Sequence, residues 1–272
     1  MVLNQSQLKA TLTNNSVNSD ALELLWEVDS YKIYGLRVSG SEAIQFWQRL
    51  RQLVDETGHY PLLLGNENEV ESHLESIQFY SHDSSTNQYL TIAEIINQGT
   101  CLNANEWLKN TAQERREEWG NHENIILKPV KLAEIGDWNE PISAADEEYT
   151  IPYDILTRLP HPSIVVALVP TTFSWQVPAF LNFGNWNDCP ASAIHICLMK
   201  YWHQKYGAEV VGITNDVVEM CVKHPPKNHE AAFHLAQEQY IYCYDIVDQG
   251  VQTLNKLANL LLYRKVWYFW WD

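Results

Sequence analysis

The sequence predicts an α/β or α+β fold, a mixed β-sheet flanked by helices, on three observations. Short runs rich in β-branched and aromatic residues alternate with segments of helical apolar period. Several of those segments open on Ser or Asn with Glu three residues later, the spacing that caps a helix N-terminus. The last seven residues, "VWYFWWD" (266–272), would as a strand be apolar on both faces, as expected of a strand between two packed layers.

Residues 1–20 are polar and Asn/Ser-rich and read as a loosely ordered leader. A smaller acidic N-terminal lobe of α+β type is expected over 21–135. There "YKIYGLRV" (31–38) has strand composition, and Ser39 with Glu42 predicts a capping box for a helix bearing Ile44, Phe46, Trp47, Leu50 and Leu53. "YPLLLG" (60–65) reads as a buried strand, and helices follow at about 66–77, 91–98 and 103–119, the last opened by Asn103 with Glu106. Residues 136–162, with clustered acids and four prolines, are expected to connect the lobe to a C-terminal domain over 163–272.

In that domain 163–170 and 176–183 read as strands, the latter demoted toward an edge or a bulge by Pro178. A helix over 190–206 should start at Pro190, capped by Asp188 or Cys189. "AEVVGI" (208–213) and "VVEMCV" (217–222) read as strands, with helices near 227–241 and 250–262. The aromatic tail is then expected as a buried interior strand. Its five rings could contribute up to about 25 kcal/mol by burial, well above the net stability of a typical domain. "GDWNEP" (136–141) and "GNWNDCP" (184–190) echo one another as a possible shared turn.

Eighteen basic and thirty-four acidic residues give a net charge of −16, which repels nucleic acid and anionic lipid and would attract a basic protein. The acids are concentrated: residues 1–151 hold 24 of them against 10 bases. The absence of a signal-like start or a long apolar run, and five cysteines without a CxxC pair, point to a cytoplasmic protein with reduced thiols and no structural zinc.

The most site-like stretch is "FGNWNDCPASAIH" (183–195), where a Gly/Asn turn delivers the backbone to a helix start. Cys189, His195 and Asp188 are weak catalytic candidates. A thiol at a helix N-terminus gains thiolate character, but the neighbouring Asp188 opposes it. A binding cleft could be built from Asn185, Trp186, Asn187 and Asp188 together with Asp245, Asp248 and Gln249 of "YCYDIVDQG" (242–250), joined by Trp271 and Asp272 of the tail. The histidine spacings do not match a helical metal site, and neither a cofactor nor a metal is expected.

"VPAFLNFGNWNDCP", "YWHQKYGAEVVGITNDVVE", "HPPKNHEAAFHLAQEQYIYCYDIVDQG" and "WYFWWD" together resemble an uncharacterised bacterial family, domain of unknown function 4253, densely over about 177–272. The resemblance implies a soluble bacterial protein ending in the aromatic strand and brings no established activity. His224 departs from the basic residue expected before the prolines. Three functions are open: a protein-binding module, such as an immunity-type neutraliser of a basic partner; a small-molecule-binding or hydrolytic enzyme with its cleft at the two turns; or a purely structural domain. Whether the chain is an enzyme is left undecided, with the balance against, since no nucleophile–base signature or phosphate loop is present.

Overall fold

The computed structural model describes residues 2–80, 90–118 and 148–272. The "GDWNEP" echo and the first part of the expected connection lie outside them. Helix α1 (Gln5–Asn14) is followed by β1 (Glu23–Val28), β2 (Tyr31–Val38), α2 (Gly40–Gln52), α3 (Val54–Thr57), β3 (Tyr60–Gly65), α4 (Glu67–Tyr80), α5 (Ile92–Cys101) and α6 (Ala104–Glu118). Then come β4 (Ile164–Val169), α7 (Val177–Leu181), α8 (Ser192–Tyr206), β5 (Glu209–Ile213), β6 (Val217–Cys221), α9 (His229–Tyr242), α10 (Leu254–Leu261) and β7 (Val266–Trp270). A π-helical turn spans Ile246–Val251. The fold is α+β. No helix among the described residues is long and apolar enough to cross a membrane.

The seven strands form one sheet in the order β1-β2-β4-β3-β5-β6-β7, antiparallel throughout except for β3 against β5. The two expected lobes therefore share a sheet, because β3 from the first half lies between β4 and β5 of the second. Pro61 is tolerated in this inner strand because β5 meets β3 only at Leu63↔Gly212, beyond the missing N–H. Its carbonyl accepts the Trp47 indole N–H at 2.9 Å, fixing α2 to the sheet. Tyr60 completes the join by donating its hydroxyl to the Val210 carbonyl at 2.8 Å.

Four local expectations are corrected. The leader contains α1, closed by an Asn4–Gln7 capping box and buried through Leu8 and Leu12; two leucines four residues apart are enough to dock an otherwise polar helix. Ser39 precedes α2, but its hydroxyl meets the Glu42 carboxylate directly at 3.1 Å and caps no backbone N–H. Residues 176–183 are not a strand: Pro178 lies in the first turn of α7, where proline is at ease, and Asn182 ends the helix in the left-handed region. Helix α8 starts at Ser192 with Ala191 at its N-cap, so neither Asp188 nor Cys189 caps it.

The aromatic tail departs from expectation in position. β7 pairs with β6 alone and forms an edge of the sheet. Trp267, Phe269 and Trp271 are buried on one face, where the Trp202 ring of α8 stacks on Phe269 at 5.6 Å and Tyr242 of α9 meets Phe269 edge-on at 5.0 Å. Tyr268, on the other face, is 39% exposed. Among the described residues, helices cover one side of β6–β7, while α2, on the opposite side, reaches Glu209 of β5 through Arg51. Two-faced hydrophobicity therefore reflects one packed face and one half-open face.

On the half-open face Glu219 stands in register with Tyr268 and is fully buried. Its carboxylate accepts the Thr150 backbone N–H, the Thr150 hydroxyl at 2.8 Å and the Ile151 N–H at 3.4 Å, pinning residues 150–151 to the sheet. Burial nevertheless raises its pKa to about 7.

Phe269→Ala is expected to cost roughly 3–5 kcal/mol, and Tyr268→Ala less than about 1 kcal/mol, in urea unfolding; equal losses would contradict the one-sided packing. A carboxyl whose pKa is raised on folding stabilises fully below its unfolded value of 4.5 and loses that contribution as pH rises through about 7. The stability of the wild type relative to Glu219→Gln should therefore fall by on the order of 1–3 kcal/mol between about pH 5 and about pH 8. The buried His59, His73 and His195, whose pKa values are lowered, act with the opposite sign and cancel in this difference.

Candidate functional site

Between α7 and α8 the chain makes a tight turn in which Asn182, Gly184, Asn185 and Asn187 all have positive φ. These are the residue types that visit the left-handed region most readily. At Gly184 a Cβ would come within 1.8 Å of the Pro190 carbonyl oxygen and 2.7 Å of His195 Nε2, so the turn closes only around a glycine. Asn185 donates its N–H to the Cys189 and Pro190 carbonyls at 3.1 Å, and the Ser192 hydroxyl donates to the Phe183 carbonyl at 2.7 Å.

This turn seals Cys189 and His195 inside. The Cys189 sulfur lies 3.6 Å from His195 Nε2, and His195 Nδ1 shares a 2.6 Å hydrogen bond with the Tyr242 hydroxyl. Phe183, Tyr242 and Trp271 pack their rings around the imidazole at centroid distances of 4.9, 5.4 and 5.5 Å. Burial lowers the His195 pKa to about 3 and pushes the Cys189 thiol well up, with Cys243 adding to the latter. Proton transfer from sulfur to imidazole is therefore unfavourable, and the pair is a neutral thiol beside a neutral ring. The sequence attributed resistance to ionisation to Asp188; burial is the cause, since Asp188 is exposed and accepts a hydrogen bond from the Tyr244 hydroxyl.

A second, polar cluster lies where the tail ends. The buried Asp245 carboxylate accepts the Asp272 N–H at 3.2 Å and the Gln249 amide at 3.0 Å, and the same amide reaches Asp272 Oδ2 at 3.3 Å. From the other turn, Asn187 donates to the Asp272 main-chain oxygen at 2.9 Å. One residue back, the Trp271 N–H donates to the Asp216 carbonyl at 3.1 Å and the Trp270 indole to the Asp216 carboxylate at 3.0 Å.

Asn187, Asp245, Gln249 and Asp272 thus meet in one network, with Asp188 held near it through Tyr244. Trp271 lies beneath it, against His195. Three other candidates stand apart. Asp248 accepts the Tyr240 hydroxyl at 3.0 Å, Trp186 packs on the core, and Asn185 is exposed and bonds through its backbone. Asp188, Asp245 and Asp272 do not form a metal site: no group of three or more His, Cys, Asp or Glu able to hold an ion occurs among the described residues.

Sequence reasoning missed Tyr242 and Tyr244, whose spacing beside Asp245 in the quoted "YCYDIVDQG" was the available signal. It also missed Arg115 of α6, whose guanidinium lies 5.1 Å over the Tyr244 ring and is drawn electrostatically to Asp188. Nothing local in the sequence relates residue 115 to residue 244.

The hydrogen bonds of the network hold the tail to the two turns. Chemically this is a latch over a sealed aromatic chamber in which burial keeps the Cys189 thiol protonated.

Residues 165–272 match the family model described as Domain of unknown function (DUF4253). No curated protein and no solved structure matches the chain. The DUF4253 match starts one residue inside β4 and includes both turns and the tail, while β3 and Arg115 come from outside it. In this protein the DUF4253 segment is therefore completed by a strand and a cation from the first half of the chain.

Iodoacetamide should alkylate the exposed Cys101 readily and the native Cys189 roughly a hundredfold or more slower, with the difference vanishing in denaturant. Peptide mass spectrometry over time reads this out. Fast native labelling of Cys189 would mean that the chamber is open.

Proposed function

We propose that the protein is a protein-binding module that engages a basic protein through the acidic surface of its first half, as an immunity-type neutraliser would. The disposition of charge supports this. Asp55, Glu56, Glu71, Glu75, Glu106 and Glu114 are exposed; Arg37 is engaged by Glu23 and Glu67 and Arg51 by Glu209 in the sheet, and the exposed bases Arg49 and Lys109 are outnumbered by these acids. An acid excess left on the surface creates a field that steers a cationic partner and raises its association rate.

A hydrolytic cleft at the two turns is the second reading, favoured by the contact between Cys189 and His195. The protonated, buried state of that pair weighs against it, as does the use of Asp245, Gln249 and Asp272 in fastening the tail.

Immobilised full-length protein is expected to retain a basic protein from lysate of its native host at about 50 mM salt and to release it at about 500 mM. Exchanging Glu71, Glu75, Glu106 and Glu114 for Gln should lower the association rate about tenfold with a smaller change in dissociation rate. A partner retained regardless of salt, or no partner in either buffer, would refute the proposal.

A further inference from the structure

Residues Tyr153 to His161 form a loop that turns its apolar side chains outward: Ile155 is 66%, Leu156 91% and Leu159 65% exposed. Single exposed apolar residues are ordinary on a protein surface, whereas three large ones within five positions of one loop mark a contact site.

The loop is ordered by its own bonds. The Asp154 carboxylate accepts the Thr157 N–H at 2.7 Å and the Thr157 hydroxyl at 2.8 Å, and these contacts lower its pKa, as befits an ionised cap. Arg158 donates its N–H to the Asp154 carbonyl at 2.8 Å, Asp154 donates its own to Leu159 at 2.9 Å, and Tyr153 and Pro160 form a bridge. Arg158 sits at φ 58, a strained backbone for a residue with a side chain, and these bonds hold it there.

Both feet of the loop are fixed. At one, Glu219 holds Thr150 and Ile151. At the other, Gly40 donates to the His161 carbonyl at 2.8 Å, and a Cβ on Gly40 would come within 2.2 Å of the Pro152 oxygen. An apolar loop ordered in this way has already met the entropic cost of being held for binding.

We propose that this loop is the apolar anchor of the protein's interface, seating Leu156 with Ile155 and Leu159 in an apolar pocket on the basic partner protein. The inference rests on the partner-binding reading above and adds where the desolvated centre of that contact lies. Charge selects the partner class: exposed Glu42 stands two residues beyond Gly40, exposed Glu148 two residues before Thr150, and ionised Asp154 on the loop itself, where Arg158 is the one permanent cation of residues 153–161. An apolar centre with a charged rim is the arrangement in which a few buried side chains supply most of the affinity and the rim supplies selectivity.

The test places the photocrosslinking residue p-benzoylphenylalanine at position 156 of the full-length protein in its native host, and identifies the adduct by mass spectrometry. In parallel, the affinity of the captured protein for Ile155→Ser/Leu156→Ser/Leu159→Ser is compared with wild type across a salt series. The expected result is an adduct with a basic protein, at least about a tenfold loss of affinity in the triple variant, and an unchanged salt dependence. Unchanged thermal unfolding of the variant excludes misfolding, since the exchanged side chains are in water. A salt-dependent basic partner bound equally well by the triple variant would overturn the anchor while leaving the acidic-surface reading standing. An adduct solely with a second copy of the chain, with lipid or with a non-basic protein, or no adduct, would overturn the proposal.

Discussion

The insertion of β3 between β4 and β5 is the constraint on which the molecule depends. β3 carries the hydrogen bonds that join the two halves of the sheet, and its six residues are buried without exception. The contacts that fix its surroundings also come from far away in sequence: Trp47 on Pro61, Tyr60 on Val210, and Arg51 paired bidentately with Glu209 at 2.7 and 2.8 Å. Glu209 also receives Lys223, and its pKa is lowered despite the desolvation that acts to raise it. A buried carboxylate so held stays ionised because two cations reach it from opposite ends of the sheet's sequence. Without β3, the segment matching the family model would have β4 and β5 with no strand between them.

At the other end of the sheet, the aromatic tail shows how an edge strand can be as well fixed as an inner one. Trp202, Tyr242, Phe269 and Trp271 contact one another edge-on or stacked, geometries that add to the gain from area alone. The packing is dense enough that the indole nitrogens of Trp267 and Trp271 have no hydrogen-bond partner among the described residues. Each such donor costs roughly 1–3 kcal/mol, less than burying the ring that carries it contributes. The exposed edge is blunted at its last residue, where the Cys243 thiol donates to the Trp270 carbonyl at 3.0 Å.

Features set by neighbouring residues could be read from the sequence; features set by distant contacts could not. The strands at 31–38, 60–65 and 164–169 follow from composition, and Asn103 bonds the Glu106 N–H at 3.1 Å as its spacing predicts. Residues 176–183 misled because every side chain of α7 is buried, which erases the helical period and leaves an apolar run that looks like a strand. The tail was placed inside the sheet because apolarity on both faces does not reveal how much of each face a second layer covers. Among the candidate site residues, Asn187, Asp245, Gln249 and Asp272 do meet in one hydrogen-bonded network, since each lies in a turn or beside a strand end. Arg115 and the contact of Tyr242 with His195 depend on how α6, α8 and α9 pack, which no local pattern encodes. The exposed loop at 153–160 fell within a stretch read only as a connection, since apolar residues in a Pro-rich segment give no sign of pointing outward.

The place of β3 also bears on how the chain comes to fold. Residues 60–65 emerge from the ribosome about a hundred residues before β4 and roughly 150 before the Val210 carbonyl that Tyr60 will bind. Synthesis at about 5–20 residues per second leaves this apolar strand without its neighbours for on the order of ten seconds. Its closure with β5 is also parallel and non-local, the slow class of pairing. The nascent chain thus carries a fully apolar strand that lacks β4 until residue 169 and β5 until residue 213, and that interval is when a holding chaperone has most to do.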